Sequence, residues 1–222
     1  MSKNQASDDR CEACGKPKSI CVCDRITRIA SRTRVLVLQH PREDDQVLGT
    51  ASLLERMLES CTVRRGLSWA SLTDALGETA DPKDFGVLYP MSLKKPLGEA
   101  ELKAPYLVID RHGDIERPAP KLRGIVVLDG TWSQGKSLWW RNPWLLKLHR
   151  VVLSPREPSI YGKLRKEPRR AFVSTLEAVA DVLVENGEPA ATREELRRVF
   201  RTMVQRARAS APPPRKRIYD QE

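Results

Sequence analysis

The sequence predicts an α/β fold, a mostly parallel sheet with flanking helices, preceded by a small N-terminal zinc knuckle. Three observations carry that expectation. Short, β-branched apolar runs recur along the chain, amphipathic helical periods lie between and after them, and four of the five cysteines crowd into positions 11–23. Runs that are apolar at consecutive positions suit strands buried on both faces, as a parallel sheet requires. Their alternation with helical periods favours an α/β domain.

The elements follow in order. Residues 1–10 are polar and predict a disordered N-terminus with no secretion signal, so a cytoplasmic, reducing setting is expected and a disulfide framework is not. In 11–30, Cys11-x2-Cys14 and Cys21-x-Cys23 flank a turn supplied by Gly15 and Pro17. Four thiolates close a tetrahedral site with no open position, which makes the expected Zn2+ structural. A vacant cluster or a redox pair is the alternative. Residues 31–209 form the α/β domain. Strands are expected at 35–38, 86–89, 106–109, 125–128 and 151–153. Val47, Leu48, Ala51, Leu54, Leu58 and Cys61 read as one helical stripe, with Cys61 a core residue closing that helix. Leu176, Val179, Ala180 and Leu183 form a second stripe, and Leu196, Val199, Phe200, Met203 and Ala207 a third. Prolines 212–214 end the last helix, leaving 210–222 as a basic, Pro-rich flexible tail.

Charge and length bound the function. The 222 residues suit one domain with a small appendage, and 40% apolar with 31% charged residues suits a soluble fold with a sizeable core. No apolar run is long enough to span a bilayer. Lys and Arg number 39 against 29 Asp and Glu, a net charge of +10, which points to a polyanionic partner. Residues 141–170 hold nine Lys/Arg against two acids, broken by Pro and Gly and including Tyr161. Such a segment suits phosphates and stacked bases; a solvated charged face is the alternative. No P-loop, dinucleotide-type glycine fingerprint or nucleophile elbow is present.

Ligands of open parallel sheets bind beyond the carboxyl ends of the strands, so the residues after each run are the candidates: Gln39-His40-Pro41, Tyr89-Pro90, Asp129-Gly130-Thr131-Trp132 and Ser154-Pro155. A carboxylate leaving a buried strand, beside a tryptophan, has the makings of a general base with a raised pKa. An Asp-Gly turn with Trp132 as a core plug is equally open. Ser174 and Glu177 have the spacing of a capping box, whose helix end also suits an anion; Thr192 and Glu195 repeat the box as a structural device. His40 and His149 each stand beside a strand end, and Trp139, Trp140 and Trp144 around Asn142-Pro143 read as packing.

The run from Leu128 through Asp129, Gly130 and Thr131 to Trp132 resembles the signature of the DTW-domain family. The four-cysteine knuckle, the 38–43 segment, Gly49-Thr50, the 88–90 segment, Asn142-Pro143 and the 174–178 segment agree with it, over roughly residues 11–185. The resemblance implies a SPOUT-like fold with a knotted cofactor site. It implies a tRNA-uridine aminocarboxypropyltransferase that moves the 3-amino-3-carboxypropyl group of S-adenosylmethionine to N3 of a uridine. An RNA methyltransferase with the same cofactor, an rRNA aminocarboxypropyltransferase and a non-catalytic zinc-knuckle RNA-binding protein are the other readings. Carried onto this sequence, Asp129 is the candidate base with Trp132 as the residue that buries it. Thr50, Tyr89, Pro90, Leu128, Gly130, Thr131, Leu153, Ser174 and Thr175 would hold the donor. Arg165, Lys166 and Arg169 would meet RNA, with Arg165 or Arg169 stabilising a uridine anion. The implied partner is tRNA, with no membrane; monomer and homodimer both stay open.

Overall fold

The computed structural model describes residues 9–43, 46–88, 98, 101, 104–154, 157–162, 164 and 173–210. Six strands form one sheet: β1 (Arg34–Gln39), β2 (Cys61–Arg65), β3 (Phe85–Leu88), β4 (Tyr106–Ile109), β5 (Gly124–Asp129) and β6 (His149–Leu153). Their spatial order is β2-β1-β5-β3-β6-β4. Every neighbouring pair is parallel except β4–β6. The helices are α1 (Ala51–Met57), α2 (Leu72–Leu76), α3 (Trp132–Arg141), α4 (Thr175–Glu185) and α5 (Ala190–Ala209).

Alternation along the strands separates two cores. Val35, Val37, Ile125 and Val127 face α1, α4 and α5, whose Leu54, Leu176, Val179 and Phe200 complete the larger cluster. Leu36, Leu38, Val87 and Val126 face the other way, onto Leu72, Trp139, Trp144 and Leu145 from α2, α3 and the short helical turn Pro143–Lys147. Strands apolar on both faces therefore sit between two helical layers, as their sequence requires. Val22, just inside the cysteine cluster, is part of the larger core. Among the described residues, no helix is long and apolar enough to cross a membrane.

Several expectations change. The 47–61 stripe is not one helix: α1 stops at Met57, and Cys61 opens strand β2 rather than closing a helix. Val47 is largely exposed. Strand β2 has the sequence CTVRR, too polar to read as a buried run; it lies at one edge of the sheet, and its last two residues are exposed. Thr192 is not a cap; α5 starts at Ala190 after Pro189, and the Thr192 N–H already donates to the Pro189 carbonyl. Of the three tryptophans, Trp139 and Trp144 pack inside, whereas Trp140 is 80% exposed. The Asn142-Pro143 step is a buried hub: Asn142 Nδ2 donates to the Leu67 and Leu138 carbonyls, and its Oδ1 accepts from Trp69 N and Trp144 Nε1.

Candidate active site at the carboxyl edge of the sheet

Strands β1, β5, β3 and β6 run parallel, so their carboxyl ends share one edge. β1 and β5 are paired so that Gln39 lies opposite Asp129. Each is the first polar residue after a buried apolar run, which sets both at the rim. Asp129 is 8% exposed. Its Oδ2 accepts from Gln39 Nε2 at 2.8 Å and its Oδ1 from Thr175 Oγ1 at 2.5 Å. Gln39 Oε1 in turn accepts from Arg65 Nε at 3.2 Å. One relay thus runs from the end of β2 through β1 to the carboxylate on β5 and on to the start of α4. A carboxylate oriented by two donors keeps further lone pairs for a proton or a cationic group.

The backbone around Asp129 is tight. His40 N donates to the Asp129 carbonyl at 3.0 Å, and a Cβ on Gly130 would lie 2.9 Å from Gln134 Cβ, so the close turn into α3 needs glycine. His40 Nδ1 accepts from Arg42 N at 3.2 Å, which gives that ring a local structural task. His149 opens β6 at the opposite edge, with Nε2 2.8 Å from the Lys83 carbonyl, and does not join the site.

Two helices begin here. Thr131 caps α3 in a capping box with Gln134, whose Oε1 accepts from Thr131 N. Trp132 is 38% exposed, so it is not a core plug. Ser174 caps α4 in a capping box with Glu177, as the sequence predicts. Glu177 is fully buried and does more than cap: its carboxylate also accepts from Ser159 Oγ at 2.9 Å and Ile160 N at 2.8 Å. Thr50 Oγ1 accepts from Leu176 N at 3.2 Å, which fastens the start of α4 to the start of α1. Leu128 and Leu153 are half-buried at the ends of β5 and β6. Asp129, Thr131, Ser174, Thr175, Leu128 and Leu153 therefore come to one edge. Tyr89, Pro90, Arg165, Lys166 and Arg169 lie outside the described residues.

The knuckle stands beside this edge. The Sγ atoms of Cys11, Cys14, Cys21 and Cys23 all lie within 4.8 Å of one another. Two of the pairs measure 3.9 Å (Cys11–Cys23) and 3.7 Å (Cys14–Cys21). Zinc–sulfur bonds of about 2.3 Å at tetrahedral corners put sulfurs about 3.8 Å apart, so the donor set fits that ion. Gly15 makes the turn at φ +69°, in the left-handed region. The Cys14 backbone N–H and the neighbouring thiols pull the Cys11 thiol down to about 6, while burial pushes Cys21 and Cys23 up. Several contacts clamp the knuckle to the domain, among them Arg198 NH2 to the Arg25 carbonyl at 2.9 Å and Ile29 N to the Met57 carbonyl at 2.7 Å. Lys16 Nζ donates to the Val47 and Gly49 carbonyls at 3.1 and 2.6 Å, and burial pulls its pKa down. Arg56 NH1 donates to the Ala13 carbonyl at 2.8 Å. Arg206 on α5 reaches the Cys21 carbonyl and pairs with both oxygens of Asp24.

Sequence reasoning set Gln39 among the strand-end candidates without a specific role, gave none to Arg65 or Lys16, and only a cap to Glu177. A signal existed for Gln39, a polar residue ending a run of four apolar ones. Nothing local marks Lys16 or Arg65, whose partners are distant in sequence.

The sequence model of the DTW domain matches residues 8–208. Three curated relatives are similar over most of the chain. tRNA-uridine aminocarboxypropyltransferase 2 of Drosophila melanogaster is 30% identical over 182 residues, 79% of this chain and 65% of that protein. The protein of the same name in Mus musculus is 30% identical over 78% of this chain and 55% of its own length. tRNA-uridine aminocarboxypropyltransferase A of Arabidopsis thaliana is 32% identical over 78% of this chain and 70% of its own length. The chain thus spans less than two thirds of the first two. No solved structure matches the chain.

Proposed function

The chain belongs to the DTW domain family, and from that premise we propose that it transfers the 3-amino-3-carboxypropyl group of S-adenosylmethionine to N3 of a uridine in tRNA. The single observation that carries this reading is Asp129, a buried carboxylate within the family motif, held by Gln39 and Thr175 at the rim of a parallel sheet. The names of the relatives supply the reaction class.

The residues at this edge fit the donor chemically. The start of α4 at Ser174 and Thr175 presents the positive end of a helix to a carboxylate. Half-buried Leu128 and Leu153 offer apolar surface to a base ring. Tyr89 and Pro90 belong to the same proposed set, as does Gly130, whose missing side chain keeps the turn close. Thr131 orders the start of α3, and Thr50 acts on the site through the start of α4. When bound, the donor supplies an electrophilic carbon on sulfonium, so that the N3–carbon bond forms as the sulfur–carbon bond breaks.

This chain's residues then orient groups and move one proton. Asp129 accepts the N3 proton of uridine as the new bond forms, and Gln39 and Thr175 keep its carboxylate aimed. A positioned base of this kind contributes about 10²–10⁴-fold. Trp132 is the residue proposed to shield the carboxylate from solvent. Arg165, Lys166 and Arg169 meet the RNA backbone, with Arg165 or Arg169 beside the uridine anion. The cysteine knuckle holds one structural Zn2+ and acts through shape. A SPOUT-like knotted cofactor site, residues 11–30 as the knuckle unit, the 31–209 α/β unit and a cytoplasmic location complete the reading.

The test is product analysis. The protein is incubated with tRNA and donor labelled in either the methyl or the aminocarboxypropyl group, and the digested nucleosides are weighed. Retention of the aminocarboxypropyl label on uridine is expected; methyl gain alone, or no gain, overturns the proposal.

A further inference from the structure

A cleft of about 880 Å³ lies between the knuckle and the β1–β2 side of the sheet edge, and of its lining only Gln39 enters the proposed proton transfer. One wall comes from the knuckle, with Arg10, Gly15 and Lys16; the other comes from α1 and the ends of β1 and β2, with Arg56, Gln39 and Arg65. Arg28 joins from the segment between the two walls. Small-molecule pockets of this size are lined mainly by apolar and aromatic side chains. This one is lined by five cationic side chains against two acidic ones among the described residues. Lys16 holds the Val47 and Gly49 carbonyls, Arg10 NH1 the Gly15 carbonyl and Arg65 Nε the Gln39 amide oxygen, while Glu55 Oε1 accepts from Val63 N. With Glu43 and Glu55 as the two acids, the lining keeps an excess of three positive charges. Among the described residues the buried Arg56 Nε has no hydrogen-bond partner, although its NH1 holds the Ala13 carbonyl. An unsatisfied guanidinium N–H is costly unless a ligand oxygen meets it.

The place of the cleft in the sheet order agrees with its charge. Asp129 sits near the middle of the sheet, and the donor residues proposed above lie at the ends of β5 and β6 and the start of α4. The cleft lies on the other side, toward β1 and β2, and Gln39 belongs both to its wall and to the hydrogen-bonded pair with Asp129. Two reactants could therefore approach the carboxylate from opposite sides. That is the arrangement an in-line transfer between a small donor and a large acceptor requires.

We infer that this cleft receives the RNA strand that carries the acceptor uridine, its phosphates against Arg10, Arg28, Arg56 and Arg65 and its base turned past Gln39 toward Asp129. The inference rests on the proposed tRNA substrate and adds the surface that holds it. It gives the knuckle a task beyond folding, as one jaw of the RNA site fixed by Lys16, Arg56 and Arg206. Turning one base out of a loop costs little where the strand is already single, and arginine pairs well with phosphate oxygens.

The test uses the full chain with zinc. Arg10→Gln and Arg28→Gln are combined, since both arginines are exposed. Zinc content and donor affinity are measured beside tRNA affinity at several salt concentrations. Each phosphate that is no longer neutralised should flatten the slope of log affinity against log salt by about 0.7 for a single strand, so a drop of about 1.4 is expected with zinc and donor binding unchanged. In parallel, tRNA substituted with 4-thiouridine is photo-crosslinked to the parent protein, and crosslinks are expected on 9–28 or 56–65. An unchanged slope, or crosslinks confined to other segments, overturns the cleft assignment while leaving the transferase reading intact. Arginine-dependent binding by a parent that modifies no uridine supports the cleft and overturns the transferase reading. A parent with no salt-dependent tRNA affinity overturns both.

Discussion

Glu177→Gln is close to isosteric, yet it should destabilise the protein far more than an ordinary surface change. Glu177 Oε2 accepts from Ser174 N and Ser159 Oγ, both at 2.9 Å, and Oε1 accepts from Ile160 N at 2.8 Å. The carboxylate is fully buried, so water cannot replace a missing partner. An amide has one acceptor oxygen. If that oxygen takes the place of Oε2, the NH2 faces Ile160 N–H; if it is flipped, the NH2 faces Ser174 N–H. Either way a buried N–H loses its acceptor and meets a donor, at about 1–3 kcal/mol. Loss of the charge from the first turn of α4 adds about 0.3–1 kcal/mol. The expected total is about 1–4 kcal/mol. Urea unfolding followed by circular dichroism reads it as a lower midpoint at unchanged slope. Because Glu177 joins residues 159–160 to the start of α4, donor affinity should fall as well. A loss below about 0.5 kcal/mol at unchanged slope would refute the view of Glu177 as the fastening of this helix end.

Other outcomes follow from the same geometry. Metal analysis of the purified chain should give about one zinc, absent in the Cys11→Ser, Cys14→Ser double variant, and the bound zinc should be released on acidification as the thiolates take up protons. Asn142→Ala removes the acceptor of Trp69 N and both donors to the Leu67 and Leu138 carbonyls, while Trp144 Nε1 keeps the Trp69 carbonyl as its acceptor. It should cost roughly 2–4 kcal/mol in denaturant unfolding without altering donor affinity per folded molecule. Combined Ala substitutions at Arg165, Lys166 and Arg169 should weaken tRNA binding uniformly across tRNAs and leave donor binding unchanged. Binding assays over a set of tRNAs check this, and loss on only some would mean base or shape reading.

Much of the fold was legible because strands buried in the sheet write themselves as unbroken apolar runs, whether parallel or, as in β4, antiparallel. Strands β1, β3, β4, β5 and β6 all carry such a run. Strand β2 escaped, since its second half, Arg64-Arg65, is exposed and its start reads as a helix end around Cys61. The capping box at Ser174 was readable from local spacing. The identical spacing at Thr192 misled, because Pro189 starts α5 earlier than a Thr192 cap would. Asp129 stood out as the polar residue ending a buried run. What holds it did not: Thr175 comes from 46 positions away and Gln39 from 90, and only the sheet order brings them together. The clamps on the knuckle are equally nonlocal, from Val47 to Arg206.

Asp129 is the group on which the proposed chemistry turns, and single-turnover transfer by Asp129→Asn tests it most directly. With donor and tRNA both bound, the parent and the variant are compared for aminocarboxypropyl gain on uridine, with donor affinity and unfolding midpoint measured in the same preparations. Asn keeps the shape at the end of β5 and removes only the group that can take the N3 proton. The predicted result is a transfer rate at least about a hundredfold lower, with donor affinity and stability close to those of the parent. Transfer at the parent's rate would contradict the role of Asp129 as the base, leaving it as a turn residue that ties β5 to α4.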